Sequence, residues 1–295
     1  MENLLSATSA ILITGPTASG KSALAVELAK RHGGAVVNAD SMQVYDTLRI
    51  LTARPSEEEM EGVPHHLYGH VPAGEAYSTG AWLRDVAALL PELRAKGQLP
   101  VFVGGTGLYF KALTGGLSDM PAIPDDIRNR LRARLLDEGA EVLHSELAQI
   151  DPAAAGGLSA QDGQRIVRAL EVVAATGQSI LRFQGQAGPM LVDPASTEKI
   201  IVMPERAVLH QRINGRFEKM LEQGAEDEVR ELLALGLPPE MPVMKAIGVS
   251  QIAAMLRGEM GRSEVIEKGA AATRQYAKRQ MTWFRNQMDE SWKRL

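Results

Sequence analysis

The sequence predicts an α/β protein: a parallel sheet core with helices on both faces, interrupted by an all-helical insertion. Three observations carry this. The apolar runs ILIT (11–14), AVVNAD (35–40) and VFVGGT (101–106) each end in small or polar residues. Helix-forming stretches at 21–32 and 80–96 separate them, the alternation expected of βαβ units with a site at the strand C-terminal ends. Between 125 and 185 the β-branched clusters disappear and helical periodicity replaces them.

The first run leads into Gly15-Pro16-Thr17-Ala18-Ser19-Gly20-Lys21-Ser22, which satisfies G-x-x-x-x-G-K-[ST] between a strand and a helix. The core is therefore P-loop NTPase-like. Its glycines let backbone N–H groups wrap a phosphate, Lys21 adds a point charge, and the Ser22 hydroxyl suits Mg²⁺. Diphosphate binding follows, but the reaction does not. Such a loop serves hydrolases and kinases, and can equally grip a leaving diphosphate.

The second run places Asp40 at a strand end, followed by Ser41, Met42 and Gln43. A carboxylate beside hydrogen-bonding groups suits a general base, and a Gln amide can read an adenine edge; a capped turn would use the same residues. The third run ends in two glycines and Thr106, leaving backbone room for a ligand and one hydroxyl. No other apolar run ends in Asp or Glu, which weakens a hydrolase reading. KIIVM (199–203) is a fourth strand; Asp125 and Asp151 read as helix N-caps, and 205–235 and 245–290 as further helices. The boundaries predicted are a first core part over 1–121, a helical insertion over 122–195, and a second core part with basic C-terminal helices over 196–295.

Composition narrows the class. The chain has 295 residues, a formal charge of −4 and no cysteine, which excludes disulfides, thiolate metal sites and a cysteine nucleophile. No apolar run is long enough to span a bilayer, and the acidic, unbasic start does not read as a secretory signal, so a cytoplasmic protein without membrane contact is expected. Charge distribution matters more than the total: Arg274, Lys278, Arg279, Arg285, Lys293 and Arg294 face only Asp289 and Glu290 near the C-terminus, enough for a basic patch. His65-His66 invites a metal reading, but neighbours on a strand point to opposite faces and no third ligand is near, so a structural role is expected.

GPTASGKSALA, NADSMQVY, ARPS with PHHLYGH and YS (53–78), VGGTGLY, QRIVRALEV (164–172), MKAIG (244–248) and YAKRQMTWFRN (276–286) occur in this order along nearly the whole chain. In this it resembles bacterial tRNA dimethylallyltransferases, also called tRNA isopentenyltransferases. The resemblance implies transfer of a dimethylallyl group from dimethylallyl diphosphate to the exocyclic amine of the adenine 3′-adjacent to the anticodon. The loop would then hold a leaving diphosphate, with Gly15, Thr17, Ala18, Ser19, Gly20, Lys21, Ser22, Arg212 and Arg216 as its binding residues. Asp40, Thr106 and Lys21 would be catalytic: Asp40 as base, Thr106 at the breaking C–O bond, Lys21 neutralising developing charge. The partner implied is a tRNA anticodon stem-loop, bound by a monomer through Asp40, Ser41, Met42, Gln43, Thr106, Arg128, Gln164, Arg165, Arg168, Lys245, Arg279, Trp283 and Arg285, with the adenine extruded from its stack.

Several of these residues admit two readings. Arg128/Arg132 and Arg130/Arg134 form separate helix stripes, of which one can face RNA, Arg128 being the better candidate. Arg165 and Arg168 suit phosphate or a solvated face, and Trp283 with Phe284 suits base stacking or the core. Arg49 and Leu51 stand where the family has Asp and Gly, Arg54 where it has Lys, and Val249 where it commonly has Tyr, so the 46–54 loop is open. Rival readings are an isopentenyltransferase acting on AMP, ADP or ATP, a P-loop small-molecule kinase, and a non-catalytic RNA-binding module.

Overall fold

The computed structural model describes residues 8–118, 120–185 and 188–295. Within it β1 (Ala10–Thr14), β2 (Ala35–Asn38), β3 (His65–His66), β4 (Pro100–Gly104), β5 (Thr197–Ile201) and β6 (Lys293–Arg294) form one six-stranded sheet in the order β3-β2-β4-β1-β5-β6. Every neighbouring pair is parallel. The fold class expected from sequence is the one observed.

Both faces of the central strands are covered, which is why they read as continuous apolar runs. Ile11, Ile13, Val36, Val101 and Val103 pack on Ala25, Val26 and Ala29 of the helix Lys21–His32. Leu12, Val37 and Phe102 face the other way, onto Trp82, Val86 and Leu90 of the helix Thr79–Ala95 and onto Phe284 of the helix Arg262–Gln287. A further apolar cluster joins Val44, Tyr45 and Leu48 to the helices Arg206–Glu222, Ala225–Ala234 and Val249–Leu256. Register sets Thr14 beside Gly104 and Asn38 beside Val103, so β1, β2 and β4 end together. Whatever follows those three ends is gathered at one edge.

The chain divides into two compact units, one of residues 1–114 with 191–295 and one of Gly115–Met190. The helical unit expected over 122–195 thus begins and ends earlier. Leu191 and Val192 pack in the sheet core, and their amides both bond the Leu113 carbonyl. The helical unit packs Asp125–Glu138, Ala140–Ile150 and Gly163–Thr176 around Leu131, Leu143, Leu147, Ile166 and Leu170. Asp151 caps a helix as expected, its Oδ1 accepting from the Ala154 N–H at 3.1 Å. Asp125 does not: Pro124 holds the cap position and Asp125 lies in the first turn, paired with Arg128.

One element departs from the sequence reading. The basic C-terminal segment leaves its helix after Gln287, and Lys293–Arg294 pair with β5 as an edge strand. His65–His66, the other short edge strand, pairs with β2. Among the described residues no helix is long and apolar enough to cross a membrane.

Candidate active site

The β1–helix turn is shaped by positions that need special backbone. A Cβ on Gly15 would lie 2.5 Å from the Val202 carbonyl oxygen, and Gly20 sits at φ +93°, so both must be glycine. Ala18 is also left-handed, at φ 63°, a strain held by the loop around it. The helix that follows has no acidic residue in its first turn and no side-chain cap. Its N–H groups and positive dipole end remain open to an anion.

The cations here lack carboxylate partners. Lys21 Nζ donates to the Pro16 carbonyl at 3.2 Å, and burial pushes its pKa down to about 8, with Asp40 opposing and Arg216 reinforcing the shift. Arg212 donates to the Ser19 carbonyl at 3.2 Å from the helix Arg206–Glu222. One turn on, Arg216 is held below the usual guanidinium range, first by burial, with Glu59 and Asp40 opposing. Among the described residues none of the three forms an ion pair within 4.0 Å. Ser22 is exposed at the helix start, and Ser19 Oγ is buried with no hydrogen-bond partner in the described structure.

At the end of β2, buried Asn38 clamps Asp40 from both sides. Its Oδ1 accepts the Asp40 N–H at 2.9 Å while its Nδ2 donates to the Asp40 carbonyl at 3.0 Å. Asp40 Oδ1 accepts the Met42 N–H at 2.9 Å, leaving Oδ2 directed towards Gly105. Three phenols near this carboxylate, Tyr68, Tyr109 and Tyr276, are raised above the usual range by burial first and the Asp40 charge second. They stay neutral around it.

The turn after β4 closes the site. A Cβ on Gly104 would meet the Ala39 carbonyl at 2.0 Å, one on Gly105 the Gln280 Nε2 at 2.2 Å, and one on Gly107 the Trp283 ring at 2.1 Å. The glycines of VGGTG therefore admit a strand end and two side chains of the helix Arg262–Gln287. Thr106 Oγ1 accepts the Ser41 N–H at 3.0 Å and donates to Ser41 Oγ at 3.2 Å.

Two sequence expectations are corrected at this edge. Gln43 has both amide hydrogens engaged, by the Thr52 carbonyl at 3.0 Å and the Ala53 carbonyl at 2.8 Å, so it braces the 46–54 loop and has no donor for a base edge. The Thr17 N–H, expected to face phosphate, instead donates to Gln280 Oε1 at 2.9 Å.

The remaining candidates belong to the C-terminal part of the chain and to the helical unit. Arg279 and Trp283 line a shallow groove on the helix Arg262–Gln287 with Lys278, Thr282 and Asn286. Trp283 is half-buried and Phe284 fully in the core, so the two aromatic residues divide between the two readings. Arg285 and Lys245 are exposed. Arg128, Gln164, Arg165 and Arg168 belong to the helical unit, where Arg128 pairs with Asp125 at 2.7 Å, Arg165 with Asp162 at 3.3 Å, and Arg168 with buried Glu171 at 3.2 Å. His65 and His66 have pKa values lowered by burial, and among the described residues no group of three or more His, Asp or Glu side chains could hold a metal.

Sequence reasoning missed Asn38 and Gln280 as site residues. Gln280 left one signal: it shares a helix face with buried Ala277 and Phe284, where a polar residue demands an explanation.

The family model described as IPP transferase matches residues 43–287, and one described as Isopentenyl transferase matches residues 8–68. A tRNA dimethylallyltransferase of Rhizobium leguminosarum bv. trifolii is 81% identical over 295 residues, covering 100% of this chain and 99% of the relative. The crystal structure of full-length tRNA isopentenylpyrophosphate transferase from Bacillus halodurans is 36% identical with a TM-score of 0.68, covering 98% of this chain and 89% of that one. A eukaryotic dimethylallyltransferase acting on tRNA is 29% identical with a TM-score of 0.80, covering 93% of this chain and 69% of that one.

Proposed function

The chain belongs to the IPP transferase family and is a tRNA-modifying prenyltransferase; on that footing we propose how its own residues perform the transfer. The donor is dimethylallyl diphosphate, the acceptor the exocyclic amine of the adenine 3′-adjacent to the anticodon, and the leaving group diphosphate. One observation carries this reading: three cations without carboxylate partners and an open helix N-terminus face the same sheet edge as a clamped carboxylate with a free oxygen.

The amides of Ala18 and of Gly20 to Ser22, with the Lys21 ammonium, receive the diphosphate, and Arg212 and Arg216 reinforce them, the Ser19 N–H being held by the Pro16 carbonyl at 3.2 Å. An entering diphosphate raises the Lys21 pKa again, so the charge is fixed when it is needed. Ser22 would hold Mg²⁺. When bound, that ion would supply neutralisation of the diphosphate charge. Thr106 turns its hydroxyl from Ser41 to the oxygen that leaves carbon. Asp40 Oδ2 orients the amine and takes its proton as nitrogen attacks, since a neutral aryl amine is a weak nucleophile until that proton goes. Because the Gln43 donors and the N–H groups of Ser41 and Met42 are engaged, the Ser41 hydroxyl reads the base. Lys245, Arg279, Trp283 and Arg285, with Arg128, Gln164, Arg165 and Arg168 of the helical unit, contact the anticodon stem-loop. The enzyme acts as a cytoplasmic monomer.

The test is incubation with labelled dimethylallyl diphosphate, Mg²⁺, and either unmodified tRNA or AMP. Label enters tRNA, and Asp40→Asn lowers the rate ~10²–10⁴-fold with donor binding retained. Label in AMP would select the mononucleotide reading, and near-normal turnover by Asp40→Asn would remove the base assignment.

A further inference from the structure

Gln280 is the buried polar side chain of the helix Arg262–Gln287, and both ends of its amide are engaged by backbone far away in sequence. Its Oε1 accepts the Thr17 N–H at 2.9 Å, and its Nε2 donates to the Gly105 carbonyl at 3.0 Å. Thr17 belongs to the turn that grips the diphosphate, and Gly105 to the turn that carries Thr106. The missing side chain at Gly105 is what admits the amide: a Cβ there would lie 2.2 Å from Gln280 Nε2 and 3.2 Å from Asp40 Oδ2. Gln280 and the base therefore converge on one point of the β4 turn.

The transfer needs three atoms in fixed order, with nitrogen on one side of the migrating carbon and the departing oxygen on the other. Diphosphate is held by one turn and the amine by Asp40, whose own turn is bonded to the β4 turn where Thr106 Oγ1 accepts the Ser41 N–H at 3.0 Å. Beyond the paired residues Thr14 and Gly104, no ladder hydrogen bond among the described residues ties the phosphate turn to the β4 turn. A single amide spanning them does.

We infer that Gln280 is a positioning residue for the transfer step: it joins the Thr17 N–H to the Gly105 carbonyl and so fixes the distance between the leaving diphosphate and the Asp40 carboxylate. The inference rests on the prenyl-transfer reading. It concerns a residue that touches neither amine nor carbon, whose removal acts on alignment rather than on substrate affinity.

Gln280→Met preserves length and burial and removes both hydrogen bonds. Expected is a kcat lower by ~10²-fold, with the KM for dimethylallyl diphosphate and the Kd for inorganic diphosphate with Mg²⁺ within about threefold of the parent. Calorimetric stoichiometry of diphosphate binding counts the folded sites, so kcat is expressed per competent site. Phe284→Leu, on the same helix face, controls for a loosened helix. It lowers Tm and leaves kcat per competent site unchanged. An unchanged kcat in Gln280→Met, a loss confined to diphosphate affinity or stoichiometry, or the same kcat defect in Phe284→Leu would each overturn the assignment. Failure of the parent enzyme to label tRNA would instead overturn the function on which it rests.

Discussion

The arginines of the helical unit and the cations of the phosphate loop differ in who satisfies them. Arg134 reaches Glu138 at 2.6 Å and Glu146 at 2.7 Å, and Arg128, Arg165 and Arg168 each have a carboxylate nearby on their own helices. Lys21, Arg212 and Arg216 bond carbonyls or stand in partial burial instead. A cation already paired loses its partner on meeting phosphate and gains only the difference. One held beside carbonyls at a depressed pKa gains nearly the whole interaction. Clustered arginine in a sequence therefore marks a candidate surface, and what the carboxylates do decides which members are poised for an anion.

The contrast breaks first at Lys21. Lys21→Met removes an unpaired charge from the leaving-group site and lowers kcat/KM for the donor ~10²–10³-fold, measured by initial rates of label transfer. Arg168→Gln should fail differently: it strands buried Glu171, so the helical unit loses about 1–3 kcal/mol, discounted for the partial exposure of Arg168, while donor affinity is unchanged in calorimetry. A pH profile sharpens the point. Burial lowers the Lys21 pKa to about 8, so the ammonium is half lost there and titrates away as pH rises further, and kcat/KM for the donor approaches a tenfold fall per unit above about pH 9. A profile flat to pH 10 would mean that Lys21 keeps its proton in the free enzyme. Smaller still, Arg279→Ala weakens tRNA binding a few-fold and reduces the salt slope of log Kd by about 1. Arg134→Ala removes two partly exposed ion pairs, so Tm falls only slightly and the transfer rate stays where it was.

Much of this architecture was written locally. β1, β2 and β4 are continuous apolar runs because both sheet faces are covered, β5 is buried only over its last two residues, Ile200 and Ile201, and the phosphate loop has a fixed pattern because its backbone does. β3 and β6 have two residues each, too few for any periodicity, and are strands only because a neighbour's ladder is open. The 46–54 loop was illegible for another reason. Its form is set by Glu228, whose carboxylate accepts the N–H groups of Arg49, Ile50 and Leu51 at 2.9, 2.6 and 3.0 Å from a helix distant in sequence. Arg54 completes it by donating to the Tyr45 carbonyl at 3.0 Å. Arg49 and Leu51, which depart from the family pattern there, are accommodated through backbone N–H groups that most residues provide. Gln280 was hidden similarly, among the conspicuous cations of its own motif.

The paired hydrogen bonds from Leu191 and Val192 to one carbonyl, that of Leu113, make the helical unit a cassette. Chain leaves the sheet and re-enters it at a single pinch, so the intervening module can be lengthened, shortened or exchanged for a short glycine-serine bridge while every strand keeps its neighbours. The closure entropy of such a replacement grows only logarithmically with its length. In lineage terms, the inserted module and the sheet can drift at separate rates, because the graft point belongs wholly to the sheet.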